Sequence, residues 1–271
     1  MALVMLLLIV AVATAAAVPA ELPRLEQSPK ADGSLTILAV GDWGRHGEFN
    51  QSRVATQMGI VGEKMDVDFI ISTGDNFYSD GLSGVDDKAF EDSFTGIYTA
   101  KSLHKPWYTE ATPWRRSAPP FRKSDSRWIC KKSFVVAAEI ADFFFVDTTP
   151  FVVKYWTDPK NSTYDWRGVA PRETYIANLL EAHGVDLYIN GHDHCLEQIS
   201  SSDSPLQYLT SGGGSKAWGG VYTPGADKVE FFHDGQGFMS LRLTAMEARL
   251  AFYDVAGTVL HTWAHAKPAH S

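Results

Sequence analysis

Three short apolar runs, at residues 35–40, 67–73 and 185–190, stand out in the hydrophobic pattern of this chain. Runs of this length with little polar interruption are typical of strands buried inside a parallel sheet. Each run is followed within a few residues by glycine and then by aspartate or histidine. The pattern therefore predicts three buried strands with polar side chains just past their carboxyl ends, where an α/β sheet gathers a functional site.

Helical periodicity lies between these strands. Apolar residues spaced three and four apart predict a helix over residues 51–65. A second helix is predicted over residues 86–94, where an aspartate pair suits the first turn. A third is predicted over residues 172–183, with Gly184 as its stop signal.

The second half of the chain has a stronger β pattern. Paired strands are predicted over residues 133–146, and further strands at 206–209, 238–243, 249–253 and 259–263. Residues 109–127 contain three prolines and no periodicity, which predicts an exposed basic loop. Alternating strands and helices followed by an antiparallel region indicate a layered α/β sandwich in one domain.

Composition narrows the class of protein. The chain has 271 residues, 45% of them hydrophobic, and a formal net charge of −8. We see no cluster of basic residues of the kind that binds nucleic acid, and so we expect an acidic soluble protein.

The first 20 residues differ from the rest, because they are apolar, rich in alanine and without charge up to residue 18. We expect residues 1–20 to be a signal peptide, residues 21–34 a connector and residues 35–271 the folded domain. The missing basic start leaves a membrane anchor as the alternative, but the apolar run is short for a span. We therefore expect secretion, with no stable membrane insertion after the signal peptide is removed.

Two features bear on an oxidising compartment. Asn50 and Asn161 begin N-glycosylation sequons. Cys130 and Cys195 are the two cysteines, and the sequence leaves open whether they pair or remain buried free thiols.

The residues that follow the strand ends have side chains of the types that bind metal ions. Asp42 and Asp75 each follow a strand, and a carboxylate such as that of Asp75 can bridge two cations. Tyr78 lies one turn further on, and its phenol must lose a proton to bind a metal, which a trivalent ion such as Fe(III) can achieve. His192 and His194 follow the third strand and can face two adjacent ions. The joint occurrence of these five residues predicts a metal site.

These motifs resemble those of the purple acid phosphatases, metallophosphoesterases with a tyrosinate-bound Fe(III). The small plant type is the most similar, and it is similar in turn to mammalian tartrate-resistant acid phosphatase. The resemblance rests on GDWG, GDNFY and GHDH at residues 41–44, 74–78 and 191–194, and on flanking stretches at residues 145–150, 164–168 and 210–216. Gly44 stands where other metallophosphoesterases usually have a histidine, and this too is the purple phosphatase pattern.

The resemblance implies a layered αββα metallophosphoesterase sandwich and a secreted enzyme, extracellular, in the cell wall or vacuolar. Asp42, Asp75, Tyr78 and His194 would hold Fe(III), and Asp75 and His192 would hold a divalent Fe, Zn or Mn ion. A metal-bound hydroxide would then hydrolyse small phosphate monoesters.

Two of the five family motifs are missing. Pro113 stands where the family has an asparagine ligand, and the strand ending in Gly-His-His is absent before Gly184. We therefore expect the fold to lack one core strand–helix segment, and the divalent site to keep only Asp75 and His192. The phosphate-side histidines are absent, so no catalytic residue is assigned. The alternative to an active phosphatase is a catalytically impaired iron-binding isoform, or a truncated splice product with a defective divalent site.

Overall fold

The computed structural model of the chain describes residues 22–79, 81–84, 86–110, 125–148, 151, 180, 183–220 and 228–266. In it, a seven-stranded mixed sheet contains the strands that lead into the first two ligand motifs. Within these residues, helix α1 spans Gln51–Met65. A five-residue π-helical segment at Glu91–Thr95 and a 3-10 turn at Lys101–Leu103 follow it. The strands are β1 (Arg24–Glu26), β2 (Leu35–Val40), β3 (Phe69–Ser72), β4 (Trp107–Glu110), β5 (Trp128–Lys131), β6 (Ser133–Ala138), β7 (Ala141–Val146), β8 (Leu187–Asn190), β9 (Leu196–Ser200), β10 (Gln207–Ser211), β11 (Lys228–His233), β12 (Gly237–Leu243), β13 (Glu247–Asp254) and β14 (Val259–Ala266).

The seven-stranded sheet has the order β14-β13-β12-β2-β3-β4-β5. Strands β2 to β5 are parallel to one another, whereas β12, β13 and β14 are antiparallel. Because β2 and β3 are parallel neighbours, their carboxyl ends meet at one edge of the sheet. The motifs that follow these two strands therefore start side by side.

Two smaller sheets complete the described structure. One has the order β11-β9-β10-β8 and the other β1-β6-β7. Strand β8 runs parallel to β10, so its carboxyl end leads the third ligand motif out of the sheet. The described residues thus form a mixed α/β fold with several sheets, as the sequence predicted.

Two hydrophobic clusters hold these layers together. One lies between α1 and the central sheet and includes Val54, Met58 and Trp43. The other lies between the central sheet and the smaller sheets and includes Phe69, Phe134 and other apolar side chains. The described layers are therefore helix, sheet and sheet. The predicted helix over residues 172–183, which would add to a second helical layer, lies largely outside the described residues.

Several predicted elements agree with the structure. Helix α1 has the predicted bounds, and the strands near residues 35–40 and 67–73 are fully buried. The paired strands predicted over 133–146 are β6 and β7, and the strands predicted at 249–253 and 259–263 lie within β13 and β14, which pair with each other. Gly184 adopts a φ of +63°, the left-handed conformation of a helix stop.

Other predictions need correction. The helix predicted over residues 86–94 starts later than expected, because helical structure covers residues 89–95. The Asp87 carboxylate accepts hydrogen bonds from Ser83 and from the Ala89 amide, and the bond to Ala89 is that of an N-cap residue, so the helix begins after Asp87. The predicted connector 21–34 contains β1, which pairs in parallel with β6.

Two further differences concern the site. Residues 109–127 are not all loop, since Thr109 is fully buried and Glu110 ends β4, while residues 111–124 lie outside the described part. Strand β8 is half-buried rather than buried, because it lies at the end of its sheet. The predicted signal peptide, residues 1–20, lies outside the described residues. Among the described residues, no helix is long and apolar enough to cross a membrane.

Candidate metal centre

The ligand motifs leave their strands through tight backbone turns. Asp42 has a φ of 59°, Asp75 of 46° and His192 of 75°, all in the left-handed region that non-glycine residues rarely adopt. The Gly44 carbonyl accepts a hydrogen bond from the Tyr78 amide at 2.9 Å, which joins the two loops after β2 and β3. The backbone amide of His192 donates to Asp42 Oδ2 at 2.7 Å and ties in the loop after β8. Three loops thus converge on one point.

Three side chains converge on the phenol oxygen of Tyr78. The Tyr78 hydroxyl donates to Asp42 Oδ1 at 2.7 Å and lies 3.3 Å from Asp75 Oδ2 and 3.1 Å from His194 Nε2. The His194 Nε2 atom is also 3.3 Å from Asp42 Oδ1. We call Asp42, Asp75, Tyr78 and His194 the Tyr78 cluster; they are the four residues that the family resemblance assigned to Fe(III).

His192 lies on the other side of Asp75. Its Nδ1 atom is 3.0 Å from Asp75 Oδ2, the same oxygen that faces Tyr78. The carboxylate of Asp75 therefore stands between the Tyr78 cluster and His192, as a bridging ligand would. The His192 side chain is 86% exposed, whereas that of His194 is 3% exposed.

Burial and mutual repulsion dominate the electrostatics of the cluster. Burial of Asp42, which is fully enclosed, raises its pKa to about 7. Burial and then the neighbouring Asp42 charge raise the pKa of Tyr78 far above its usual value. Burial lowers the pKa of His194, which favours the neutral imidazole that binds metals. The charged forms of Asp42 and Tyr78 are disfavoured in the protein alone, and a cation beside them would favour both.

The pair on the exposed side behaves differently. The hydrogen bond between His192 and Asp75 lowers the pKa of Asp75, and it raises the pKa of His192 to about 9. A cation that binds His192 must therefore displace a proton that the neighbouring Asp75 stabilises on the imidazole. This competition weakens metal binding on that side.

The Tyr78 cluster fits an iron ion by chemistry and spacing. Oxygen and imidazole donors of this kind suit iron, and the Tyr78 oxygen lies 2.7–3.3 Å from its three neighbours. Among the described residues, no three His, Cys, Asp or Glu side chains form a group that could hold a metal ion. The phenol adds a fourth donor to the two carboxylates and the imidazole, and a phenol favours a trivalent ion.

The sequence analysis missed residues that support this cluster. The Arg45 guanidinium stacks over the Tyr78 ring at 3.6 Å, where its charge favours the phenolate. The His194 Nδ1 atom contacts the backbone oxygen of Lys216, and its ring is 4.7 Å from that of Trp218. Arg45 directly follows the first motif, and Lys216 follows a glycine run. Their adjacency to the motifs was the one sequence feature that could have indicated a supporting role.

Around the predicted divalent site, the structure brings together Asp75 and His192. Pro113 lies outside the described residues. The last residue of β4 adds one carboxylate to this edge, because a Cβ on Gly74 would lie 3.5 Å from Glu110 Oε1. Gly74 directly precedes Asp75, and therefore Glu110 contributes negative charge close to the bridging carboxylate.

Two further predictions concern the cysteines and the glycosylation sequons. Cys130 and Cys195 are free thiols here, and burial raises the pKa of each to about 12. The Asn50 amide donates to Gln236 Oε1 at 3.3 Å, and Asn161 lies outside the described residues. Glycosylation at either position stays a prediction.

No protein-family model matches the chain. The chain is 46% identical to "Purple acid phosphatase 4" of Arabidopsis thaliana, over 92% of this chain and 88% of the relative. It is 48% identical to "Purple acid phosphatase 3" of the same plant, over 90% of this chain and 81% of the relative. The first alignment extends over 301 positions, more than the 271 residues of this chain, so the relative contains segments that this chain lacks.

The fold comparison agrees with the sequence comparison. The purple acid phosphatase PPD1 from seeds of yellow lupin (Lupinus luteus) superimposes with a TM-score of 0.59 and 14% identity, over 86% of this chain and 54% of that one. Identity at this level supports the fold alone, whereas the Arabidopsis relatives establish the family. The chain belongs to the purple acid phosphatases, a family of dinuclear, generally iron-containing metalloenzymes that hydrolyse phosphate monoesters.

Proposed function

We propose that this chain binds Fe(III) through the Tyr78 cluster and hydrolyses small phosphate monoesters. The observation that carries the proposal is the contact of the Tyr78 oxygen with Asp42, Asp75 and His194 at 2.7–3.3 Å. Burial penalises the charged forms of Asp42 and Tyr78, and a cation among these side chains would offset that cost.

The metal ions of such a centre supply Lewis acidity toward the phosphate oxygens and lower the pKa of water. The protein contributes the positions of the ligands. Asp42 is held by the His192 amide, and His194 is oriented by the Lys216 carbonyl. Arg45 places a positive charge over Tyr78 and favours its phenolate form. Partners of this kind fix the orientation of metal ligands and raise metal affinity.

The second candidate function is iron binding with impaired catalysis, as in a variant or truncated splice product with a defective divalent site. It is favoured by the composition of the divalent side, where Asp75 and the exposed His192 are the only predicted ligands that remain. A two-ligand site that also competes with the proton on His192 binds a divalent ion weakly. In that case the chain would bind phosphate at Fe(III) with slow turnover.

We further propose that the protein enters the secretory pathway and acts outside the cell, in the cell wall or in the vacuole. The apolar, uncharged segment over residues 1–20 supports this proposal, as do the sequons at Asn50 and Asn161. Removal of residues 1–20 from the secreted protein, measured by N-terminal sequencing, is the expected result. A mature protein that keeps this segment would contradict secretion by signal cleavage.

The test is to load purified protein with Fe(III), alone and with Zn²⁺ or Mn²⁺, and to measure hydrolysis of 4-nitrophenyl phosphate in mildly acidic buffer. Turnover that requires both metals supports the phosphatase. Iron binding with no turnover above that of a His194→Ala control supports the second candidate. Protein that binds no iron contradicts both.

A further inference from the structure

Arg45 is a cationic side chain that lies directly against the Tyr78 cluster. Its guanidinium carbon is 3.6 Å from the centre of the Tyr78 ring. Burial lowers the pKa of His194, and the positive charge of Arg45 adds to this effect, so the guanidinium is also near the imidazole. Arg45 therefore lies close to any ion that the Tyr78 oxygen and the His194 ring bind together.

The guanidinium has a donor that the protein itself leaves unused. Its Nε atom is buried and has no hydrogen-bond partner among the described residues. The two carboxylates of the cluster pair with histidines instead. A buried donor without a partner is costly in a native protein. Such a donor beside a candidate active site therefore points to a ligand that accepts a hydrogen bond from it.

The backbone of Arg45 is fixed in place by buried hydrogen bonds. The Arg45 amide donates to Gln51 Oε1 at 3.0 Å, and Gln51 is fully buried. The side-chain amide of Gln51 donates in turn to the Ser93 carbonyl oxygen at 2.7 Å. Because the side chain starts from a fixed point, less conformational freedom is lost when the guanidinium binds a ligand.

A second cation lies at the same side of the cluster. The Arg45 guanidinium is 5.7 Å from the ring centre of Phe49, which is 48% exposed. The Lys216 ammonium is 5.5 Å from the same ring and 4.9 Å from that of Trp218, which is 54% exposed. The two positive charges thus lie where the protein meets solvent, and an anion that approaches the cluster is attracted by both.

Of these two cations, Arg45 suits a phosphate group better. A guanidinium presents its N–H donors in a planar fork that can bind two phosphate oxygens at once, and it stays charged in acidic and neutral solution. An ammonium such as that of Lys216 acts as a point charge on a flexible stem. The phosphate-side histidines that the family resemblance predicts are absent from this chain, so a phosphate at the cluster lacks their hydrogen bonds.

We propose that Arg45 is a phosphate-binding residue and that it replaces the absent histidines. Its N–H groups donate hydrogen bonds to the oxygens of a phosphate ester bound at the Tyr78 cluster. They remain on these oxygens as negative charge is redistributed over them during hydrolysis. This rests on the proposed function, since it requires phosphate to bind at the Tyr78 cluster. Arg45 is then a catalytic residue, in addition to its contact with the Tyr78 ring.

The test measures phosphate binding, so that it does not depend on turnover. Inorganic phosphate is titrated by calorimetry into iron-loaded protein, and iron content and visible absorption are determined on the same samples. Arg45→Lys keeps the positive charge beside Tyr78 but lacks the planar fork, whereas Arg45→Gln lacks both. We expect Arg45→Lys to retain its iron and to bind phosphate about tenfold more weakly, as is typical of a lost charged hydrogen bond. Arg45→Gln should bind phosphate more weakly still.

Arg53→Gln is the matched control, because it removes one positive charge from an exposed position on α1. Its affinity for phosphate should stay within twofold of the unmodified chain. Hydrolysis of 4-nitrophenyl phosphate gives a second readout. The kcat of Arg45→Gln should fall about 100- to 1000-fold, as on removal of one donor that stabilises a transition state, and Arg53→Gln should keep the kcat of the unmodified chain.

The outcomes separate this inference from the proposed function. Protein that binds no iron would overturn both. Iron-loaded protein that binds no phosphate, or binds it equally tightly with and without the Arg45 substitutions, would overturn the role of Arg45 and leave iron binding intact. Loss of iron from Arg45→Lys would mean that Arg45 supports Tyr78 alone, and this result too would overturn the phosphate contact.

Discussion

Replacing Gly44 with alanine tests how closely the loops after β2 and β3 are packed. A Cβ at this position would lie 1.7 Å from the carbonyl oxygen of Asn76, 2.6 Å from its carbonyl carbon and 2.8 Å from the Cα of Phe77. These are backbone atoms that cannot rotate away, so the two loops must separate by more than about 1 Å to reach normal contact. That movement also breaks the 2.9 Å hydrogen bond from the Tyr78 amide to the Gly44 carbonyl.

The cost follows from these two effects. Overpacking of this kind costs about 1–3 kcal/mol, and the lost hydrogen bond about 0.5–1.5 kcal/mol. We therefore expect Gly44→Ala to lower the free energy of unfolding of the metal-free protein by about 2–4 kcal/mol, which moves the urea midpoint by about 1 M. The same movement displaces Tyr78, so iron affinity should also fall.

Gly84→Ala is the matched control, because a Cβ there would have no atom within 4 Å. Its free energy of unfolding should stay within about 0.5 kcal/mol of the unmodified protein. Urea denaturation followed by tryptophan fluorescence measures both variants. If Gly44→Ala is as stable as Gly84→Ala and binds iron as tightly as the unmodified chain, the loop packing described above is wrong.

Further predictions concern charge and metal binding. Burial lowers the pKa of His261 in the folded chain, so the unfolded chain binds more protons below about pH 6.5 and stability is lost as the pH falls. His261→Gln should therefore reduce the loss of stability in urea midpoints measured from pH 7 to 5, and an unchanged slope would refute this prediction. Burial raises the pKa of Asp42 to about 7, so its carboxylate is charged at pH 8 at a cost in free energy that Asp42→Asn removes. This variant should leave the metal-free protein at least as stable at pH 8 and yet abolish iron binding, and lower stability with iron retained would contradict the assignment. His192→Ala should keep iron bound, because this side chain contacts Asp75, whereas His194→Ala should lose iron, because His194 contacts Tyr78. Iron content after gel filtration measures both variants, and iron lost from His192→Ala but retained by His194→Ala would exclude the proposed division of ligands.

The strand ends and the residues that follow them could be predicted from the sequence. Continuous apolar runs identified β2 and β3, and parallel pairing of the two strands brings Asp42 and Asp75 together. The position of Tyr78 one turn later followed from its spacing. Such local signals are readable because they depend on period and on adjacency along the chain.

Features that depend on distant parts of the chain were not predictable in this way. Trp218 and Phe49 are far apart in sequence, and nothing local indicates that Lys216 lies between their rings. The half-buried state of β8 depends on its place at the end of a sheet, which an apolar run does not reveal. The helix near residue 90 starts later than predicted because the Asp87 carboxylate, bonded to Ser83 and to the Ala89 amide, lies at its N-cap.

The central claim is that the phenol of Tyr78 binds Fe(III) together with two carboxylates and one imidazole. The most direct measurement is the visible absorption spectrum of iron-loaded protein beside that of Tyr78→Phe, with the iron content of both determined on the same samples. The unmodified chain should bind iron and show a phenolate-to-Fe(III) charge-transfer band that is absent from Tyr78→Phe. A colourless and iron-free unmodified chain, or an identical band in the phenylalanine variant, would contradict the account.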